Sequence, residues 1–438
     1  MRLNEPDIEL ATEFLERLGA SSADRPGVTR PSYSAVEDNA HALLAEFATG
    51  LGLAATTDWA GNLYIELAGR DPDKPRFFVG SHLHSVPHGG NFDGAAGVAA
   101  GLAVIAGLAT SGSRPARSIV LMAIRAEESA WFDASYIGSR AALGRLDARE
   151  LDEVRRADTG RSLASHMEEL GFDPRRGLAG SPPITPTTIA AFIEPHIEQG
   201  PVLDARSIPV GIVSAIRGSA RYRHARCLGR YDHSGATPRA ARQDAVVAVA
   251  NLVVRLDLAW KDALAHGQDL AVTIGQFETD PALQAFSKVS GEVHFSLDTR
   301  SVSQRTLDEF ERAARKQVDA TEKEFSVRFE LGARSSSKPA ALDTNVGRAL
   351  AAASSDLEIP FLVLPSGAGH DCAVFADAGV PAGMVFMRNT GGSHNPDEAL
   401  ATDDLAAAAR VVMRFLTIAA DVSTSQAGRM NARETDAE

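Results

Sequence analysis

Three nearly continuous apolar runs constrain the fold of this chain more than any other feature: RFFVG at 76–80, SIVLMAI at 118–124 and TIAAFI at 188–193. A strand turns successive side chains to opposite faces, so a run that is apolar at every position must be covered on both sides. Between the first two runs lies GAAGVAAGLAVIAGL at 94–108, whose small apolar residues suit a helix packed tightly on a sheet. The first two hundred residues therefore read as an α/β layer, with strand-like and helical segments alternating. Open α/β sheets place their sites at the carboxyl ends of strands, and each apolar run here is followed by a polar, turn-rich stretch.

From about Ile212 to Leu331 the texture changes to strand, helix, strand, strand, helix, strand. Residues 242–258 and 306–320 carry helical patterns, while Val293, Phe295 and Leu297, then Phe325, Val327, Phe329 and Leu331, alternate with polar neighbours. Buried-strand texture then resumes in FLVLPSG and AGMVFM. The expected organisation is a mixed-sheet α/β domain over 1–211 and 332–422, an inserted α+β module over 212–331, and a polar, disordered tail over 423–438. At 438 residues, 44% of them hydrophobic, two cores are affordable. The net charge of −13 argues against nucleic acid or an anionic membrane as partner, since both demand a basic surface. No apolar stretch approaches the roughly 20 residues that span a bilayer, and the amino-terminal pattern is an amphipathic helix rather than a signal sequence, so the cytoplasm is the expected location. Two cysteines, Cys227 and Cys372, exclude a thiolate metal site, leaving nitrogen and oxygen donors for any transition metal.

Those donors cluster after the apolar runs. GSHLHSVPHGGNFDGAAGV at 80–98 puts His82 and His84 on one face of a strand end and Asp93 on a glycine-bracketed turn. IRAEESAWF carries the adjacent acids Glu127 and Glu128 directly past a buried strand, where two like charges call for a cation nearby. FIEPHIEQG carries His196, and GGSHNPDE, after AGMVFM, carries His394. Any one of these alone reads as a solvated loop or helix face. Four in corresponding positions suit a zinc-type site of one ion, or of two ions bridged by a carboxylate.

With these motifs in view the chain resembles the hydantoinase/carbamoylase-type amidases of the dinuclear-metal aminoacylase and carboxypeptidase superfamily. That group includes N-carbamoyl-L-amino acid hydrolases, β-ureidopropionases and allantoate amidohydrolases. The resemblance runs through GVTRPSYS, DWAGNLY, GSHLHSVPHGGNFDGAAGV, the Glu-Glu pair, HIEQGPVL, HSGATP, FSLDTR, SGAGHD and GGSHNPDE. It implies a zinc-peptidase-like domain with an inserted ferredoxin-like lid that also dimerises, and two divalent ions per subunit: zinc or manganese, with cobalt or nickel as alternatives. Asp93 would bridge them, His82 and His196 completing one site and Glu128 and His394 the other. Glu127 would be the general base. His233, in YDHSGATP, would reach the partner subunit's active site and stabilise an oxyanion. Arg300 would grip the carboxylate of a small amide substrate, with Gln199 and His370 as further pocket positions.

The chain departs from that pattern in two places. Where the family has His-x-Asp, the acid orienting the ligand histidine, this chain has His82-Leu83-His84, which brings no charge behind the metal. On the resemblance alone, His84→Asp is expected to tighten metal binding. Where the family has Asn-Val-Ile-Pro-Gly, this chain has Ser287-Lys288-Val289-Ser290-Gly291, losing an amide donor. Arg217, in the first strand region of the inserted module, is a further candidate for the substrate pocket.

Overall fold

The computed structural model describes residues 5–112 and 114–422, so the tail from Ser423 lies outside the described residues. The chain divides into two units, one made of residues up to Ser214 and from Leu342, the other of Ala215–Ala341.

The first unit is built on a mixed sheet in the order Ala55–Thr57, Leu63–Leu67, Ile119–Ile124, Arg76–His82, Ile189–Ile197, Ala382–Met387, Val210–Ile216, with Phe361–Ser366 also pairing with the last. The central strands run parallel: Arg76–His82 with both Ile119–Ile124 and Ile189–Ile197, and Ile189–Ile197 with Ala382–Met387. These are the strands whose apolar runs demanded cover on both faces, and nearly all their residues are buried. Their parallel alignment brings three polar strand ends to one edge of the sheet. The helix Ala95–Thr110 lies against this sheet and is buried along almost its whole length. Its glycines permit the approach: a Cβ on Gly97 would stand 1.9 Å from the Pro195 carbonyl oxygen. Ile8–Ser21, capped by Asp7, and Ala35–Gly50 complete the layer, with Phe14 edge-on to Phe47.

The second unit is a separate α+β module, as expected. Its sheet centres on Gly218–Leu228 and Glu292–Ser301, antiparallel to one another, and two long helices, Ala245–Ala265 and Gln304–Phe325, pack on it through Val249, Leu252, Leu256, Phe295, Leu297 and Phe310. Two expectations need correction. The module ends near Ala341 rather than Leu331, because Arg334–Ser337 adds another antiparallel strand to Gly218–Leu228. Phe325 belongs to the second helix rather than to a strand; Ser326, at φ 53°, closes that helix, and only Arg328–Glu330 pairs with the sheet here.

Candidate active site

His82 closes the Arg76–His82 strand, Glu127 and Glu128 follow Ile119–Ile124, and His196 is the penultimate residue of the Ile189–Ile197 strand. Asp93 precedes the Ala95–Thr110 helix across Gly94, whose φ of 65° suits glycine and whose missing side chain leaves room for the His82 ring, 2.4 Å from where a Cβ would stand. His394 sits between the short paired strands Asn389–Thr390 and Ala399–Leu400. The five expected ligands thus converge within the first unit.

Each histidine is presented by its backbone. His196 Nδ1 is 2.9 Å from the Ile197 carbonyl and His82 Nδ1 is 3.3 Å from the His84 carbonyl, so both rings place their hydrogen on Nδ1. The two Nε2 atoms then face each other at 3.5 Å, with Asp93 Oδ1 at 3.2 Å from His196 and 3.7 Å from His82. Asp93 Oδ2 lies 3.1 Å from His394 Nε2, which is 2.8 Å from Glu128 Oε1. Asp93 therefore points one oxygen into each of two clusters, His82–Asp93–His196 and Asp93–Glu128–His394, each with the donor spacing of a metal site. Among the described residues Asp93 Oδ1 and Glu128 Oε2 are buried with no hydrogen-bond partner, which fits donors arranged for cations. A third grouping, Glu194–His196–His370, shares His196 but sits behind it. There Glu194 accepts from the Cys372 backbone N–H, and His370 bonds Ser366 Oγ.

The electrostatics of the site follow from burial of these groups together. Asp93 and Glu128 raise the His394 imidazole to about 10. Burial opposes protonation of His196, but Asp93 beside it raises its pKa to about 9. Burial, then neighbouring His84, lowers His82 to about 3. Burial would raise Glu128, yet His394 and His84 hold it down near 2. Glu127 has no such partner: burial, then Asp371 and Glu128, push it well above the usual carboxylate range. Its Oε2 lies 4.0 Å from His82 Nε2, beside the ligands and outside both clusters. The two adjacent acids thus occupy unlike environments.

The other expected site residues fall in different places. Gln199, at φ 63°, donates from Nε2 to Asp93 Oδ2 at 2.9 Å and belongs to the site. His370 is buried edge-on to His196, at 4.5 Å between centroids. In the second unit His233 pairs in register with Lys288, beside Ser287, so the two motifs read there as separate do come together. His233 Nδ1 accepts from the Gly235 and Ala236 backbone N–H groups at 3.1 Å, which puts the ring hydrogen on Nε2. Lys288 is engaged with the Leu283 carbonyl and the face of Tyr231. Arg300 pairs with Asp298 at 2.9 Å. Arg217 is clamped by both oxygens of Asp269, an ion pair internal to this unit.

Two residues of the site escaped sequence reasoning. Glu398 accepts the backbone N–H groups of Phe92 and Asp93, and Ser393 Oγ bonds both Glu398 and Asp93 Oδ2. Together they fix the Asp93 carboxylate to the His394 loop. A signal was present, since GGSHNPDE carries both within five residues of His394.

Comparison with known proteins shows the family of the chain. Residues 80–418 match the model of peptidase family M20/M25/M40. An N-carbamoyl-L-amino acid amidohydrolase of Geobacillus stearothermophilus is 35% identical over 88% of this chain and 92% of its own. One from Paenarthrobacter aurescens is 33% identical over 95% of this chain and 99% of its own. The crystal structure of a hydantoinase/carbamoylase-family amidase from Burkholderia multivorans superposes with a TM-score of 0.86 at 27% identity, covering 95% of this chain and 98% of that one. The chain belongs to this peptidase family, in its hydantoinase/carbamoylase-type amidohydrolase branch, and is a hydrolase acting on C–N bonds other than peptide bonds. Among the described residues no helix is long and apolar enough to cross a membrane.

Proposed function

We propose that the chain is a metal-dependent amidohydrolase that cleaves the linear C–N bond of an N-carbamoyl or N-acyl amino acid, or of a related carboxylated amide. The observation that carries this reading is Asp93, one oxygen in each of two candidate ligand clusters, with the buried acid Glu127 beside them. His82, Asp93 and His196 would hold one divalent ion, and Asp93, Glu128 and His394 a second. Such ions supply Lewis-acid polarisation of the scissile carbonyl and make water acidic enough to lose a proton near neutral pH.

Glu127 would take a proton from the attacking water and return it to the departing nitrogen, a role favoured by an environment that raises its carboxyl pKa. His233, with its hydrogen set on Nε2 by two backbone donors, is suited to donate to the carbonyl oxygen as negative charge develops there. Arg300 would bind the substrate carboxylate in competition with Asp298. In a panel of N-carbamoyl, N-formyl and N-acetyl amino acids and dipeptides, assayed with added Zn²⁺ or Mn²⁺, the N-carbamoyl compounds should give the highest kcat/KM. A preference for dipeptides would reject this assignment in favour of a peptidase.

The reading includes a homodimer formed through the second unit. Its support is an exposed apolar stripe of Val247, Val254 and Leu258 on one side of the Ala245–Ala265 helix. Sedimentation at micromolar concentration should return twice the mass of the chain; a monomer would remove this element.

A further inference from the structure

The turn that presents Glu127 and Glu128 is strained. Ala126 has φ of 49°, in the left-handed region that a residue with a Cβ disfavours, and something must hold it there. The Ile137–Ala142 segment does part of this, since Tyr136, Ile137 and Gly138 donate backbone N–H groups to the carbonyls of Glu127, Ala126 and Arg125. The opposite side is held by a carboxylate from a different element.

Glu37 lies in the first turn of the Ala35–Gly50 helix and is fully buried. By sequence it is the last member of a Ser-x-x-Glu capping pattern, and Ser34 does cap this helix. Its Oε2 accepts from the Tyr33 backbone N–H at 2.6 Å and from Arg125 Nη1 at 3.1 Å. Among the described residues its Oε1 has no hydrogen-bond partner and faces His84 Nδ1, also without one, at 3.8 Å. The far nitrogen of that ring, Nε2, accepts the backbone N–H of Glu128 at 3.2 Å and lies 3.3 Å from Glu128 Oε2. Accepting that N–H leaves the neutral ring's hydrogen on Nδ1, on the side of Glu37. Glu37 thus contacts Arg125 at one end of the strained turn and, through His84, reaches Glu128 at the other. Arg125 is itself pinned by Asp38, the Gly61 carbonyl and the Phe172 ring, so that end is rigid.

We propose that Glu37 is a positioning residue of the site: with His84 as intermediary it holds the Glu127–Glu128 turn and supplies from the Ala35–Gly50 helix the negative charge that position 84 lacks. The proposal rests on the two-metal reading above. It also reverses the expected effect of His84→Asp. In this chain an aspartate at 84 stands buried between Glu37 and Glu128, so three carboxylates share one low-dielectric region and the turn loses its acceptor.

The test is the affinity of stripped protein for Zn²⁺, measured by competition with a chromophoric chelator, in wild type, Glu37→Gln, His84→Asp and the double variant, with apoprotein melting followed alongside. Glu37→Gln should weaken binding by about 10–100-fold, the usual cost of losing a group that orients a metal ligand. His84→Asp should weaken it as well. Adding Glu37→Gln to His84→Asp should instead tighten binding, because it removes the acid facing the new one. A purely structural role would lower affinity or melting temperature in both backgrounds alike and would not reverse sign. Unchanged affinity in Glu37→Gln, or the same loss in both backgrounds, overturns the proposal while wild type still binds two ions. Wild type binding no metal overturns the two-metal reading and the proposal with it. Should Glu37→Gln fail to fold because Arg125 loses a partner, His84→Asn against His84→Asp decides: the neutral amide should bind Zn²⁺ more tightly, and the reverse order overturns the proposal.

Discussion

Glu127→Gln should abolish most of the hydrolysis while leaving the metals in place. The expected loss in kcat is roughly 10²–10⁴-fold, the usual contribution of a positioned proton carrier, or about 3–5 kcal/mol in the barrier. The carboxyl lies beside both ligand clusters and in neither, so metal content after dialysis should match wild type. The substitution should also leave the metal-free protein as stable or more so. Burial, then Asp371 and Glu128, raise the folded pKa of Glu127 above its unfolded value of about 4.5. A raised pKa gives stability that is fully present at low pH and lost as pH rises through the folded value. Near neutrality a neutral amide relieves that cost. Kinetics, metal analysis and melting of the apoprotein at pH 7.5 check the three parts together. A variant hydrolysing at full rate would remove Glu127 from the mechanism.

Asp93→Asn should be more damaging still, through a different quantity. Asp93 is common to both clusters and is also gripped by Gln199 and Ser393. An amide keeps the shape but removes the charge and turns one oxygen into a donor aimed at a ligand nitrogen. Both ions should be lost on dialysis, with affinity falling by more than the ~10–100-fold that a lost orienting partner costs. Hydrolysis should fall below detection at metal concentrations that saturate wild type. Retention of one tightly bound ion would mean that the clusters are independent and that Asp93 does not bridge.

Legibility of the site from sequence followed the range of the interactions. Ligands at the ends of buried strands were readable because an apolar run fixes where a strand stops and the next residues must face the sheet edge. His82, Glu127, Glu128 and His196 carry that local signal, while Asp93 and His394 lie on the turns that follow. Glu37 did not: its pairing with Arg125 spans 88 positions, and its local pattern is fully explained as a helix cap. The pairing of Arg217 was hidden for the same reason, since its partner Asp269 lies 52 positions away. The module boundary slipped because RSSS at 334–337 has no apolar alternation; it is an exposed strand defined by pairing with Gly218–Leu228 rather than by burial. His84, conspicuous in sequence as a missing acid, acquires its sense only beside Glu37.

The most direct test of the central claim is reconstitution: protein stripped by chelation, titrated with Zn²⁺ or Mn²⁺ at pH 7.5, with bound ions and hydrolysis of an N-carbamoyl amino acid followed together. In the stripped protein His196 and His394 hold protons up to about 9 and 10, so binding should release protons and strengthen as pH rises. The predicted result is no hydrolysis before metal is added and full activity at two ions per chain. Hydrolysis at the full rate by the stripped protein would contradict the account.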